Sequence, residues 1–205
     1  MLVVMGMTVC VKAQVSVNGD VGFYTKNLST FTGLMFSEEP AMVAHMNVGV
    51  DYKKFNISAS YSGQHAIHHY EDGDRFNMLD LSVGYKISKG LVVSLGYEMT
   101  YTDTEKDQIG HGVFAMAKWS KCKVSSTLIF FADPSFKNTY YIGSIDLRVM
   151  KNVSVYTLAG YTNTKTSPLY GLVGVKYSKG SFFTGTYWVF DKDNPGPVVS
   201  AGLTF

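Results

Sequence analysis

Between residues 75 and 101 apolar and polar positions alternate with a period of two. Leu79, Leu81, Val83, Tyr85 and Ile87 share one face, with Asp80, Ser82, Gly84 and Lys86 on the other. Leu91, Val93, Leu95, Tyr97, Met99 and Tyr101 continue the apolar face against Ser94, Gly96, Glu98 and Thr100. Successive strand side chains point to opposite sides, so this pattern predicts strands with one apolar and one polar surface. Along the whole chain it predicts twelve strands, at 15–26, 41–53, 55–64, 75–88, 90–102, 110–120, 122–132, 138–149, 152–162, 168–178, 180–190 and 196–205. Most are about ten residues or slightly longer, the length a tilted strand needs to cross a bilayer.

The connections alternate as well. Five are very short and carry lysine: Lys53-Lys54, Ser88-Lys89-Gly90, Ser120-Lys121-Cys122, Met150-Lys151-Asn152 and Ser178-Lys179-Gly180. The others are mostly longer and polar, near 27–40, 65–74, 103–109, 133–137, 163–167 and 191–195. Short turns at one rim and long loops at the other predict an all-β, transmembrane antiparallel up-and-down β-barrel of about twelve strands. Tyr52, Tyr85, Trp119 and Tyr177 precede short turns on the apolar face, and Tyr61, Tyr101 and Tyr161 lie toward the loop end. These are two interfacial aromatic girdles. Pro40, Pro134, Pro168, Pro195 and Pro197 all fall in loops or at strand starts, where a missing N–H is tolerated.

The 205 residues suit one unit, and no apolar run reaches the length of a helical span. Met1 to Val11 is apolar and followed by Lys12-Ala13, which predicts a signal peptide over 1–13 and a barrel over 14–205. Cys10 would leave with that segment. Cys122 would then be the single remaining thiol, with no internal disulfide.

The final segment reads Pro197-Val198-Val199-Ser200-Ala201-Gly202-Leu203-Thr204-Phe205, with Val199, Ala201, Leu203 and Phe205 on one face. It resembles the C-terminal strand of Gram-negative outer-membrane β-barrel proteins of the small porin-like class. That resemblance implies an outer-membrane location with periplasmic termini. It also implies recognition by the barrel-assembly machinery through the strand ending in Phe205, and contact with outer-membrane lipid and lipopolysaccharide.

Charge placement refines the picture. The long loops hold eleven acids, including Glu38, Glu39, Asp103, Glu105, Asp107 and Asp133, against five basic residues. Such a rim either forms an acidic mouth that concentrates cations, or its acids bridge divalent cations with lipopolysaccharide or simply keep the loops soluble. The polar faces carry Asp20, Asp51, Asp80, Glu98 and Asp146 with Lys26, Lys86, Lys118, Lys123, Arg148 and Lys176. A charge within a membrane strand is tolerated where it faces a wet or paired lumen. Expected pore-lining residues are therefore Asp20, His45, Asp51, Asp80, Lys86, Glu98, Lys118, Lys123, Asp146, Arg148, Lys176 and Trp188. Phe131, Tyr140, Tyr156, Tyr170 and Phe182 are also read as inward. Small inward residues such as Ser82, Gly84, Gly96, Gly174 and Gly202 are expected to leave room for a channel.

His65, His68, His69 and Glu71 cluster in one loop, the kind of imidazole and carboxylate set that binds a divalent metal. Nothing in their spacing fixes a geometry, and no cofactor is expected. The twelve-stranded outer-membrane phospholipases place serine two residues after the catalytic histidine. Here the residues at that spacing are Asn47, Ile67, Tyr70, Glu71 and Val113, so no enzyme activity is expected. With only Arg75 and Arg148, no arginine stripe marks an anion channel, and no nucleic-acid motif is present. The reading is a monomeric, passive channel for small polar solutes. Its alternative is a closed barrel acting as adhesin, receptor or structural protein through its loops. An outer-membrane hydrolase ranks third.

Overall fold

The computed structural model describes residues 13–28, 35–37, 40–67, 75–102, 108–163, 168–191 and 195–205. Period-two patterning and the richness in Val, Ile, Tyr and Phe favour extended backbone. The described residues form fourteen strands. They are β1 (Gln14–Tyr24), β2 (Asn27–Leu28), β3 (Met35–Ser37), β4 (Ala41–Tyr52), β5 (Phe55–Ala66), β6 (Arg75–Ser88) and β7 (Leu91–Thr102). The others are β8 (Gln108–Lys121), β9 (Val124–Ala132), β10 (Thr139–Met150), β11 (Val153–Thr162), β12 (Leu169–Lys179), β13 (Phe182–Val189) and β14 (Gly196–Thr204).

Twelve of them close one antiparallel barrel, in which β1 pairs with both β4 and β14. The twelve expected strands are present, with ends displaced by at most two residues. Within the stretch expected as a loop, Asn27–Leu28 and Met35–Ser37 pair as β2 and β3. Closure satisfies backbone groups that an open edge would leave bare in hydrocarbon. The β1–β14 seam is the shortest contact, with Asp20 opposite Thr204 and Tyr24 opposite Ser200. Gly19 and Phe205 extend it by two reciprocal backbone hydrogen bonds of 3.0 Å.

The outer surface is an apolar belt. Val17, Met46, Ile57, Leu81, Leu95, Leu128, Ile145, Val175 and Leu203 are all exposed. Tyr52, Tyr85, Trp119 and Tyr177 are exposed at its short-turn edge, and Tyr61, Tyr101 and Tyr161 toward the loops. Lysines dress the aromatic edge, with Lys53 Nζ 5.1 Å from the Tyr52 ring centroid and Lys54 Nζ 5.8 Å from that of Tyr85. The third short turn differs slightly from expectation. Lys121 ends β8, and the turn is Cys122–Lys123, with Cys122 at a left-handed φ of 54°.

Candidate functional site

Inside the barrel the two halves differ. Toward the loop end, the side of the lumen formed by β1, β4 and β10 to β14 carries a cluster of nine buried residues: Tyr24, Val43, Ile142, Leu158, Tyr170, Leu172, Tyr187, Val189 and Val198. Ile129 and Tyr156 pack against it. Each contributor lies in the loop-side half of its strand, so together they make an apolar layer on that side of the loop end.

The rings lie over glycines of neighbouring strands. A Cβ at Gly96 would collide with the Phe114 ring, one at Gly160 with Tyr170, and one at Gly174 with Tyr187. A Cβ at Gly202 would stand 2.7 Å from the Phe183 ring. The small residues expected to leave an open channel instead accommodate rings, because a flat ring on one strand fills the volume a missing side chain leaves on the next.

Toward the short turns the lumen is polar. A cavity of about 880 Å³ runs from Asp51, Lys86 and Lys118 near that rim up to Tyr24, Ile142 and Tyr187 of the apolar layer. Asp51 and Lys86 form an ion pair at 3.1 Å, with side chains 33% and 40% exposed, so the cavity meets solvent at this end. Asn56 also donates to Asp51, at 3.0 Å.

Of the residues expected to line a pore, Asp20, His45, Asp51, Asp80, Lys86, Glu98, Lys118, Asp146 and Lys176 line this cavity. Arg148 is exposed at the short-turn rim. Three placements are corrected. Lys123 is not a lining residue; it is exposed in the turn after β8. Trp188 faces outward, 51% exposed, and Phe182 does likewise. Phe183 and Tyr187 take the inward positions on β13. Aromatics of both parities occur on this strand, so alternation alone could not choose a face. The register with β14, which sets Gly185 opposite Ser200, decides it.

The inward polar residues form ladders that sequence spacing cannot reveal. Asn18, Asn47, Ser60, Asp80 and Glu98 are successive cross-strand partners on β1, β4, β5, β6 and β7. Ser60 donates to Asp80 Oδ2 at 3.1 Å, and Ser58 and Ser82 share a hydrogen bond of 2.8 Å in the adjoining row. The next row sets Asp20, His45 and Ser62 side by side. Those are the residue types of a nucleophilic relay, brought together only by strand register. His45 Nε2 and Ser62 Oγ nevertheless each lack a hydrogen-bond partner, so no relay is assembled between them.

Of the metal candidates, His65 lies on the outer face of β5 and contacts Asn77 Oδ1 at 3.3 Å, with Tyr61 donating to the same oxygen at 2.7 Å. His68, His69 and Glu71 lie outside the described residues, as do most of the acids expected at the mouth. Asp191, expected in an exposed loop, is buried, only 1% accessible. No group of three or more potential ligands able to hold one metal ion occurs among the described residues.

No protein-family model matches the chain, and no curated protein matches it. Solved structures do. Outer membrane phospholipase A from Escherichia coli superposes with a TM-score of 0.63 at 10% identity, over 95% of this chain and 98% of that one. The KdgM porin gives 0.59 at 10% identity, over 93% and 98%, and the NanC porin 0.56 at 8%, over 93% and 99%. The chain has the fold of an outer-membrane β-barrel. The similarity spans nearly the full length of these barrels, two of which are porins and one an enzyme. At such low identity it concerns the barrel alone, and the lumen has to be read from its own residues.

Proposed function

We propose that this barrel resides in the outer membrane as a porin-like, narrow channel that takes small polar solutes into a mixed-charge lumen. The observation that carries this is the cavity of about 880 Å³ lined by acids and bases and meeting solvent at the short-turn end. The apolar outer belt and the two aromatic girdles support placement across a bilayer. Passage through the loop end requires the apolar layer to yield, so conduction is set by how often Tyr170, Leu172 and Tyr187 part and admit water.

In this proposal residues 1–13 are a signal peptide and both termini face the periplasm. The strand ending in Phe205 engages the assembly machinery, and the barrel is a monomer among lipid and lipopolysaccharide. The KdgM porin has been solved with oligogalacturonate, a polyanion. The acids Asp80 and Glu98 facing this lumen argue against a solute of that charge. No catalytic role is assigned, since His45 and Ser62 do not hydrogen-bond to one another.

A second reading has its own support. The buried apolar layer favours a closed barrel that acts through its loops as an adhesin, receptor or structural protein. Single-channel recording of the refolded barrel in planar bilayers separates the two. Discrete conductance steps are expected for the channel. A folded, heat-modifiable barrel without conductance transfers the function to the loops.

A further inference from the structure

Asp80 and Glu98 stand directly opposite each other on β6 and β7, facing the lumen. Two ionised carboxylates in that relation repel, and either a proton held by one of them or a cation between them relieves it. Asp80 is only 8% exposed; Ser60 satisfies its Oδ2, while its Oδ1 has no partner. Ser62, on β5, is 4% exposed, also lines the cavity, and its Oγ has no partner. Asp80 thus has Glu98 opposite it on β7 and Ser62 diagonal to it on β5, and Asp80 Oδ1 and Ser62 Oγ have no hydrogen-bond partner.

Two of the three lysines of the cavity wall are engaged elsewhere, and the third, Lys118, lies six positions along β8 from Gly112, the residue opposite Glu98. Lys86 is paired with Asp51 at 3.1 Å, and Lys176 Nζ lies over the Phe183 ring at 4.7 Å. The cavity wall around the pair mixes serines, among them Ser60 and Ser82, with three apolar side chains. Met78 is two residues from Asp80 on β6, while Phe114 and Met116 line the adjacent wall on β8.

We propose that the Asp80–Glu98 pair binds the primary ammonium group of a small alkylammonium solute. An ammonium has three N–H donors, and the site offers three acceptors: Asp80 Oδ1, a Glu98 oxygen and Ser62 Oγ. Charge-assisted hydrogen bonds are the strong ones, and a desolvated acid pair gains the most from them. The methylenes then lie against Met78, Met116 and the face of Phe114, which also attracts a cation. A divalent metal fits less well. It wants six or more oxygen ligands or a compact His and carboxylate set, and it gains nothing from an apolar lining. The proposal names a solute class for the channel reading and rests on it only in part, since binding is measurable without conduction.

The test is calorimetric titration of the refolded full chain in detergent micelles with 1,4-diaminobutane, against 1,4-butanediol and calcium chloride. Saturable binding of the diamine alone is expected. Glu98→Gln and Asp80→Asn are expected to weaken it at least tenfold. Asp133→Asn, which changes net charge equally in the loop after β9, should leave it within about twofold. In unsubstituted protein labelled at methionine methyls, the diamine should shift Met78 and Met116 and leave the outer-face Met42, Met46 and Met99 unmoved. This second measurement holds even if a variant fails to fold. Calcium binding without diamine binding, an equal loss in Asp133→Asn, or unshifted Met78 and Met116 methyls each overturn the proposal. Absence of conductance with diamine binding intact removes the channel reading alone.

Discussion

Phe205 and Gly19 close the barrel. Their backbones exchange two hydrogen bonds of 3.0 Å, and a Cβ at Gly19 would stand 2.7 Å from the Phe205 ring. That Cβ would also collide with the His45 carbonyl oxygen on the other side. Gly19→Val is therefore expected to strain the seam by about 1–3 kcal/mol. A lower urea midpoint of the refolded barrel, read by the heat-modifiable gel shift, measures it. Adding Phe205→Ala should restore part of the loss, since it removes one of the two clashes. An unchanged midpoint in Gly19→Val would refute this account of the seam.

In the channel proposal, the apolar layer at the loop end sets both stability and passage. Leu172→Ala removes a side chain that is buried against Leu158 and Tyr187 in one cluster. It is expected to cost about 2–5 kcal/mol by loss of contacts and creation of a cavity. Tyr187→Ala uncovers the space over Gly174 and should raise single-channel conductance. Conductance equal to that of the unsubstituted barrel would show that the constriction lies elsewhere.

The Asp51–Lys86 ion pair spans β5 at the wet end of the lumen. Both side chains are partly exposed, so its contribution is expected to be under about 1 kcal/mol and to shrink in high salt. A double-mutant cycle with Asp51→Asn and Lys86→Met at low and at molar salt measures it. A coupling that survives molar salt contradicts this estimate.

The loop between β9 and β10 turns on Asp133. Ser135 Oγ donates to Oδ1 at 2.9 Å, the Lys137 amide to Oδ1 at 3.0 Å, and the Asn138 side chain to Oδ2 at 2.7 Å. Desolvation pushes the carboxyl upward, but these hydrogen bonds prevail and hold it below the ordinary aspartate value of 3.8. A depressed value means that the ionised turn is favoured at neutral pH. That ordering is lost as pH falls through the lowered titration point. Carboxyl NMR titration should find Asp133 titrating below 3.8, with the turn amides losing protection over the same range. Titration at or above 3.8 counts against the turn.

Trp119 and Trp188 report the orientation of the wall. Both are exposed on the outer face. In Trp119→Phe protein reconstituted in lipid, Trp188 should be quenched by brominated acyl chains and little affected by aqueous acrylamide. The reverse result would return Trp188 to the lumen.

Much of this architecture was legible along the chain. A strand has only two faces, so alternation from Leu79 to Tyr101 both identifies β6 and β7 and sorts their residues into lipid and lumen sides. Short lysine turns and long polar loops then impose one direction on the barrel, and twelve strands follow from counting hairpins. Register was not legible, because it depends on pairing between residues far apart in sequence. Only the closed sheet sets Asp80 against Glu98, lines up Asp20, His45 and Ser62, and chooses Tyr187 over Trp188 for the interior. Openness was not legible either. Gly96, Gly160 and Gly174 look like empty space when read one strand at a time. In the barrel they lie beneath Phe114, Tyr170 and Tyr187, because close packing fills the volume that a missing side chain leaves.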